Sequence, residues 1–397
     1  MVLAVLVAVG LTLISAFTGW RAVTGDSKQA FVWKIATPNI RLDEMIFFQI
    51  KLKQRKKILL YTVGSLVCAL LTIFFVNAFY TPPKVKSYSW NSLSEVSKDE
   101  LEIITWNIGY GGLGKESNFI LDGGTDWLPE SKLIVKKNVS GIVNFIKSQT
   151  PDVFFFQEIA KASLINRSVS VFNAVVDTIN QYQNIYVSDF CTHLIPPPIS
   201  INSGLGVFAR PGLISNSESR LLPLEARRIG AFRKNYQMVV NQVSTTVENK
   251  KWILINLHLA AFDSNADIRA KQLEAVRSFA MKQYQRGNFV VIGGDWNLRL
   301  VKTEFPHQTE DKYLFWVHDL PDDAFPSDWK IVADPNVPSV RTVHQAYIPG
   351  ENYVTIIDGF ITSPNVEVVA VETINLNFTN SDHHPVKARF ATSDKIN

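Results

Sequence analysis

Six short polar segments, each at the end of an apolar run, hold the side chains of this 397-residue chain that could carry chemistry. The residues concerned are Asn107, Glu158, His258, Asp295, Asn297, Asp358, Asp382 and His383. Together they supply carboxylates that bind a metal ion and orient a histidine, amides that contact a phosphate, and two histidines that transfer protons. This set predicts metal-assisted attack of water on a phosphoester. Singly, most of the segments also fit turn chemistry or a hydrogen-bonded buried polar group, so the prediction rests on the set.

The apolar runs before these segments predict the strands that position them. Ile103–Trp106, Val153–Phe156, Trp252–Ile255 and Phe289–Ile292 are rich in β-branched and aromatic residues, which is typical of buried strands. Strand ends are where a rigid scaffold presents catalytic side chains. We therefore expect the polar residues to meet at one edge of a sheet structure.

Two segments with apolar residues at helical spacing, Leu133–Lys147 and Asn265–Arg286, predict amphipathic helices. Gly287 follows the second helix as its stop signal. The order strand, helix, strand therefore occurs twice. This order predicts an α/β fold with four layers, in which a two-sheet β-sandwich is flanked by helices.

Taken in order along the chain, the six polar segments resemble the core motifs of the endonuclease/exonuclease/phosphatase superfamily, over residues 99–392. This superfamily includes pancreatic-type deoxyribonucleases, abasic-site endonucleases, neutral sphingomyelinases and inositol polyphosphate 5-phosphatases. The resemblance implies a hydrolase of phosphoester bonds that uses Mg2+, with Mn2+ as an alternative ion.

The resemblance also implies a role for each matched residue. Glu158 would be the principal metal ligand, and Asn107 and Asp382 would contribute to the same metal site. Asp295 would orient or activate the attacking water, and Asn297 would contact the phosphate.

Three further roles concern proton transfer. The resemblance places His383 beside the scissile phosphorus and gives Asp358 the task of holding its productive tautomer. His258 would hydrogen-bond the phosphate or the leaving group. A histidine with a carboxylate behind it is well suited to proton transfer near neutral pH. The predicted mechanism is in-line attack by water, with Mg2+, Asn297 and His258 stabilising the charge on the phosphate oxygens.

The chain departs from compact members of the superfamily in a long first loop, 109–132, which contains six glycines. A loop of this length beside Asn107 is either functional or mobile. We favour a substrate-shaping loop. Phosphate cradling by the glycines is disfavoured because the loop lacks the Gly-Lys-Ser/Thr ending of a nucleotide-binding loop.

Two uncharged apolar segments precede residue 90. Residues 2–20 and 58–80 are 19 and 23 residues long, close to the roughly 20 residues that a membrane-spanning helix needs. They predict an N-terminal two-helix transmembrane hairpin, followed by a linker at 82–98. For the first segment a cleaved signal peptide is disfavoured because nothing basic precedes Arg21. For the second, a buried core helix is disfavoured by the basic run directly before it.

Charge predicts the orientation of the hairpin. Residues 21–57 carry nine Lys/Arg against three Asp/Glu, a net charge of +6. Because short basic loops stay in the cytoplasm, we expect an integral membrane protein whose catalytic domain is extracytoplasmic. The remaining residues have 31 Lys/Arg and 33 Asp/Glu, a net charge of −2. A domain that is not basic argues against a general nuclease.

Three classes of function follow from the sequence. The leading one is a membrane-tethered phosphodiesterase or phosphatase that acts on a lipid headgroup or another envelope phosphoester, because tethering raises the local concentration of a membrane substrate. Membrane lipids would then be both anchor and substrate. The alternative is an extracytoplasmic nuclease, and the third is a non-catalytic membrane scaffold, which the complete residue set disfavours. The sequence indicates no obligate protein partner.

Aromatic residues upstream of Asp358 bear on the substrate. Trp316, Phe325 and Trp329 would form either a lipid-facing or base-stacking surface, or the core of a loop. We favour the loop core.

Overall fold

The computed structural model describes residues 42–90, 95–223, 234–261 and 267–393. The chain divides into two compact units, Met1–Ala78 and Phe79–Asn397. The first predicted membrane segment, residues 2–20, lies outside the described residues.

Helix α1 spans Leu42–Phe79. Its stretch Gln49–Phe79 is 31 residues long, with a mean hydropathy of 2.4 in its most apolar window and no residue of that window buried. At about 1.5 Å per residue it exceeds the roughly 30 Å hydrocarbon core of a bilayer. Among the described residues it is the one helix long and apolar enough to cross a membrane, so the first helix of the predicted hairpin, residues 2–20, is not established.

The start of this helix differs from the prediction. We expected it at residue 58, where the charges end, but α1 begins at Leu42 and includes the basic run 51–57. Lys, Arg and Gln are good helix formers, and neither glycine nor proline interrupts residues 42–63. Hydropathy therefore located the apolar part of the helix, whereas helix propensity sets its beginning.

The second unit contains two mixed sheets. The seven-stranded sheet consists, in spatial order, of β1 (Val85–Ser89), β6 (Ile214–Leu221), β7 (Gln237–Ser244), β8 (Lys251–His258), β9 (Phe289–Asp295), β13 (Asp358–Thr362) and β10 (Lys330–Val332). The six-stranded sheet consists of β14 (Val366–Thr373), β15 (Val386–Thr392), β2 (Glu100–Asn107), β3 (Val153–Ala160), β5 (Asn202–Ala209) and β4 (Gln183–Cys191). A short ribbon pairs β11 (Val340–Arg341) with β12 (Val354–Thr355).

Two parallel strand pairs fix the positions of the helices. Strands β2 and β3 are parallel, and α2 (Lys132–Lys147) lies between them in sequence. Strands β8 and β9 are also parallel, and α4 (Asp267–Gln285) lies between them in sequence. Parallel neighbours need a crossover connection, which these helices provide. A shorter helix, α3 (Val171–Thr178), follows β3.

Three apolar clusters give the molecule four layers. One cluster lies between the two sheets and includes Phe155 and Trp252. A second joins the seven-stranded sheet to α4 through Val276, and a third joins the six-stranded sheet to α2 and α3 through Val139 and Val175. This is the α/β sandwich flanked by helices that the sequence predicts.

The predicted linker, 82–98, is partly structured. Within it β1 pairs antiparallel with β6, and Val85 lies opposite Arg220. Trp90 Nε1 donates a hydrogen bond to Ser217 Oγ at 2.8 Å. The serines and prolines of this segment suggested a tether, but its apolar and aromatic residues add an edge strand to the sheet.

A polar bridge crosses the interior of the sandwich. Asn256, in β8, is fully buried, and its Nδ2 donates to the carbonyl oxygens of Gly206 and Phe156, at 3.0 and 3.3 Å. Its Oδ1 accepts from Gln157 Nε2 at 2.7 Å. Asn256 thus joins the two sheets directly below the strand ends that carry the polar motifs.

Replacing Asn256 with leucine is expected to lower the free energy of unfolding by about 2–4 kcal/mol, because Gln157 Nε2 loses a buried acceptor and two carbonyls lose a donor. Chemical denaturation followed by tryptophan fluorescence measures the change. The matched control is Asn216→Leu, at an exposed position of β6. Equal stability of the two variants would contradict the structural role given to Asn256.

Candidate active site

The ends of three strands of the seven-stranded sheet bring a histidine and two aspartates together. His258 ends β8 and is in register with Asp295, which ends β9. Asp358 begins β13 and pairs with Asp295 from the other side. Because β8 and β9 are parallel, their last residues lie at the same edge of the sheet. His258 Nε2 is 3.4 Å from Asp295 Oδ2.

The six-stranded sheet contributes to the same edge. Asn107 ends β2, and its Nδ2 donates to Asp295 Oδ2 at 2.9 Å. Asn107 Oδ1 accepts from Gly109 N at 3.0 Å. Gly109 has a φ of +47°, and a Cβ added there would lie 2.9 Å from Asp382 Oδ1, so a side chain at 109 would disturb this carboxylate.

Glu158 lies at an irregularity of β3. Pairing with β5 shifts between Phe156 and Ile159, and Glu158 itself has a φ of +53°. A bulge of this kind re-aims a side chain near a strand end. Glu158 is half-buried, and its carboxylate interacts electrostatically with Lys234 and Asp295.

His383 is held by contacts on its ring and on its backbone. Its Nδ1 is 2.8 Å from Asp358 Oδ2, and its Nε2 is 3.8 Å from Asp295 Oδ2. Trp106 Nε1 donates to the carbonyl oxygen of His383 at 2.9 Å, and Ser381 Oγ accepts from the backbone N–H of His383 at 3.2 Å. The ring is therefore oriented by Asp358, with Nε2 facing Asp295.

The surrounding charges favour the protonated form of His383. Burial opposes protonation, but the carboxylates of Asp358, Asp295 and Asp382 outweigh it and raise the pKa of His383 to about 10. The protonated His383 ring can therefore donate a hydrogen bond from Nε2 to a group bound between the ring and Asp295.

Lys234 is a site residue that the sequence reasoning missed. Its Nζ lies 3.0 Å from His258 Nδ1 and 3.8 Å from Asp189 Oδ2. An ammonium group can only donate, so Nδ1 of His258 accepts and its Nε2 carries the proton. Burial and the charges of Lys234 and His383 lower the pKa of His258 well below its usual range. His258 is thus a neutral donor, as its predicted role requires.

Four buried or half-buried carboxylates give the site a negative character. Burial raises the pKa of Asp382 to about 7 and those of Asp122 and Asp295 to about 6, and it raises the pKa of Glu158 as well. Glu158 adds to the shifts of Asp382 and Asp122 by charge repulsion. Asp122, in the long loop, belongs to no motif and was not predicted.

This donor set fits a hard divalent cation. Such ions bind carboxylate and amide oxygens, which Glu158, Asp382 and Asn107 offer, and positive charge would relieve the mutual repulsion of the buried acids. The ligand atoms of Asp295, Asp358 and His383 also lie within 4.8 Å of one another. In that group, however, His383 Nδ1 and Asp358 Oδ2 are already hydrogen-bonded to each other, so Glu158, Asp382 and Asn107 are the better candidate ligands for a divalent cation.

Asn297 lies two residues after Asp295, in a left-handed conformation with a φ of +50°. Its backbone N–H donates to Asp295 Oδ1 at 2.9 Å, and its Nδ2 donates to the carbonyl oxygen of Leu259 at 3.0 Å. The second hydrogen on Nδ2 is available for a phosphate oxygen. Arg269 is fully buried and donates to the carbonyl oxygen of Asn297, so its role is structural.

The long loop, 109–132, is anchored to the rest of the domain. Arg341 Nη2 donates to the carbonyl oxygen of Gly114 at 2.6 Å, and the backbone N–H of Val343 donates to Asp122 Oδ2 at 2.9 Å. Tyr110 and Leu113 are buried. The loop thus packs beside Asn107 and Asp382, where it can shape a substrate pocket.

The aromatic residues upstream of Asp358 are loop core. Trp316 and Trp329 are buried, and Phe325 packs against the outer cluster of the seven-stranded sheet. The prediction that favoured core packing over a substrate surface is confirmed.

His384 is a packing residue with a fixed protonation state. Its Nδ1 donates to the carbonyl oxygen of Pro338 at 2.9 Å, and its Nε2 accepts from the backbone N–H of Phe378 at 3.1 Å. This pattern requires the neutral ring, which also stacks on Phe378 with a centroid distance of 3.7 Å. Burial lowers the pKa of His384 to about 4.

The lowered pKa of His384 predicts loss of stability in acid. The His384 ring binds a proton near pH 6.5 in the unfolded chain but only near pH 4 in the folded chain. The stability that is present above pH 6.5 is therefore lost as the pH falls to 4. The loss is up to about 3 kcal/mol. Melting temperatures of the wild type and of His384→Phe, taken between pH 7 and 4, test this. We expect the wild type to lose more stability than the variant, and parallel curves would contradict the prediction.

No protein-family model matches the chain, and no curated protein matches it significantly. Among solved structures it is similar to an endonuclease/exonuclease/phosphatase from Beutenbergia cavernae, with 16% identity over 75% of this chain and 72% of that chain and a TM-score of 0.49. It is also similar to D. rerio TDP2 complexed with a single strand DNA product (18% identity, 74% and 100% covered, TM-score 0.48). A third is the human Nocturnin catalytic domain with bound sulfate (14% identity, 79% and 100% covered, TM-score 0.46).

Proposed function

We propose that this chain is a membrane-anchored, Mg2+-dependent phosphoesterase that hydrolyses a lipid headgroup phosphoester. The observation that carries the proposal is the convergence on Asp295 of Asn107, His258 and His383, with Asp358 behind His383. Near Asp295 are the carboxylates of Glu158 and Asp382, which suit a divalent cation.

Each residue has a task in this reaction. Glu158, Asp382 and Asn107 would hold Mg2+, which when bound polarises the phosphoryl group. Asp295 would orient the attacking water and accept its proton. His383, kept protonated by Asp358, would donate through Nε2 to the phosphate or the leaving oxygen. The Nε2–H of His258 and the free amide hydrogen of Asn297 would neutralise charge on the remaining oxygens.

The membrane part of the proposal rests on α1. The stretch Gln49–Phe79 is long and apolar enough to span a bilayer, and the net charge of −2 outside residues 21–57 does not suit general nucleic-acid binding. The charge of +6 in residues 21–57 supports an extracytoplasmic catalytic domain. Protease treatment of intact cells whose membrane surface is accessible tests the orientation. We expect the catalytic domain to be digested, and a catalytic domain that is protected from the protease would overturn the proposed orientation.

Metal removal tests the chemistry. We expect EDTA to abolish hydrolysis of bis(p-nitrophenyl) phosphate by the full-length protein, and Mg2+ or Mn2+ to restore it. Full activity in EDTA would overturn the metal-dependent mechanism.

Lys234 supports this mechanism through His258. Replacing Lys234 with methionine is expected to lower kcat/KM about tenfold, which corresponds to about 1.4 kcal/mol, because His258 loses the partner that fixes its tautomer. The matched variant Lys234→Arg keeps a donor and a charge, and we expect it to retain most of the activity. Steady-state kinetics on the same phosphodiester distinguish them. Equal losses in both variants would contradict the role of Lys234 as a charged donor.

A further inference from the structure

Four large apolar side chains in two segments of the second unit are exposed. Trp127, Leu133, Leu194 and Ile199 are 68%, 76%, 64% and 54% exposed, and we call them the apolar rim. Large apolar groups that stay in water in one neighbourhood mark a binding surface for a membrane or a protein.

A groove connects the segments that carry the apolar rim. It has a volume of about 380 Å³, and Lys132, Arg167 and Ile199 are among its lining residues. Arg167 Nε donates to the carbonyl oxygen of Pro129 at 2.8 Å, and the backbone N–H of Leu164 donates to the carbonyl of Ser200 at 2.8 Å. The segments around 127–133 and 194–199 are thus held to the same short stretch, 164–168. Lys132 and Arg167 line the groove together with Glu130, so two basic groups face one acidic group and leave a net positive charge that complements a lipid phosphate.

One segment of the rim contacts the residue that follows the candidate membrane span. That span ends at Phe79, and the next residue, Tyr80, contacts His193, with a ring centroid distance of 3.9 Å. His193 directly precedes Leu194 of the apolar rim. Tyr80 therefore joins the residue that follows the candidate membrane span to the segment that carries Leu194.

The groove is also next to the candidate active site. Leu164 lines the groove, and its neighbour Ile165 packs against the apolar cluster that contains Tyr110. Tyr110 interacts electrostatically with Glu158 and Asp382. The apolar cluster of Tyr110 and Ile165 therefore links the groove to the carboxylates that we assign to the metal.

We propose that the apolar rim inserts into the interfacial region of the bilayer that α1 crosses, and that the groove receives the phosphate-bearing headgroup of a lipid in that bilayer. This rests on the proposed function. Tryptophan and leucine side chains partition into the membrane interface, and basic groups beside them bind lipid phosphates. The rim would hold the groove against the leaflet, so that the headgroup of a lipid is bound near the candidate active site without leaving the membrane.

Quenching by brominated lipids tests the surface without using activity. The full-length protein, with Cys68→Ser and Cys191→Ser, carries a fluorophore on Leu194→Cys and is reconstituted in nanodiscs with brominated acyl chains. The matched control is Ile331→Cys, which is 51% exposed on the edge strand β10. We expect quenching of at least about twofold at position 194 and almost none at 331. Absence of quenching at 194, or equal quenching at both positions, would overturn the proposal.

Kinetics separate this proposal from the proposed function. In the double variant Leu133→Glu, Leu194→Glu, which changes two rim residues outside the groove lining, we expect hydrolysis of lipid in nanodiscs to fall about tenfold, while hydrolysis of bis(p-nitrophenyl) phosphate is unchanged. Equal lipid hydrolysis by the variant and the wild type would overturn the proposed role of the apolar rim in membrane binding. If the wild type hydrolyses neither substrate, the proposed function fails, and the quenching result alone decides whether the rim contacts the bilayer.

Discussion

Replacing Glu158 with glutamine is expected to lower Mg2+-dependent phosphoester hydrolysis by at least about a hundredfold. Glu158 is the carboxylate that the bulge in β3 re-aims, and it lies in electrostatic contact with Asp295 and Asp382. Glutamine keeps the shape of the side chain and removes its charge, so the site should lose affinity for the cation. Steady-state kinetics across a Mg2+ titration, together with calorimetry of Mg2+ binding, measure both effects.

The control for this variant is Glu218→Gln. Glu218 pairs with Arg220 on β6, outside the site, and its replacement by glutamine removes the same charge from the protein. We expect its kinetics and its calorimetric Mg2+ affinity to match the wild type. Unchanged Mg2+ affinity in Glu158→Gln would assign the metal to other residues, and Asp295, Asp358 and His383 would be the next group to test.

Replacing His383 with alanine is expected to lower kcat about a thousandfold with little change in KM, because a proton donor acts mainly in the transition state. Asp358→Asn should lower kcat about tenfold to a hundredfold, since the ring then loses the carboxylate that lies 2.8 Å from Nδ1 and favours its protonated form. Single-turnover kinetics on a soluble phosphodiester separate these effects from product release.

His307→Ala is the matched control, because the His307 ring packs edge-on against Tyr353 and takes no part in the hydrogen bonds and ion pairs described for the site. We expect wild-type kinetics from it. If His383→Ala kept full kcat while Glu158→Gln lost it, the metal assignment would stand and the role of His383 as proton donor would be wrong.

The strand-end motifs were predictable because two constraints coincide. Buried strands need runs of β-branched and aromatic residues, and polar residues such as Asn107, His258 and Asp295 interrupt those runs where the strands end. Parallel pairing of β8 and β9 then places His258 beside Asp295. The helices α2 and α4 follow the predicted spacing for the same reason, since one face of each must be apolar.

Other parts of the site depend on tertiary contacts that sequence patterns do not encode. Lys234 precedes β7 without any motif, and only the folded strands place its ammonium group beside His258 and Asp189. Asp122 reaches the carboxylate group because the long loop folds back onto Val343. The edge strand β1 was missed because five residues flanked by serine and proline resemble a linker when their partner strand is not known.

The most direct test of the proposed function is to follow phosphorus-containing products by phosphorus NMR. Full-length protein is reconstituted in nanodiscs made from a whole lipid extract and supplied with Mg2+. A second sample also receives plasmid DNA, and the Glu158→Gln variant serves as the inactive control in both. We expect the wild type alone to release water-soluble phosphorylated headgroups or free phosphate from the lipid. Cleavage of DNA with unchanged lipid would contradict the lipid substrate and favour a nuclease, and no product from either substrate would contradict the phosphoesterase itself.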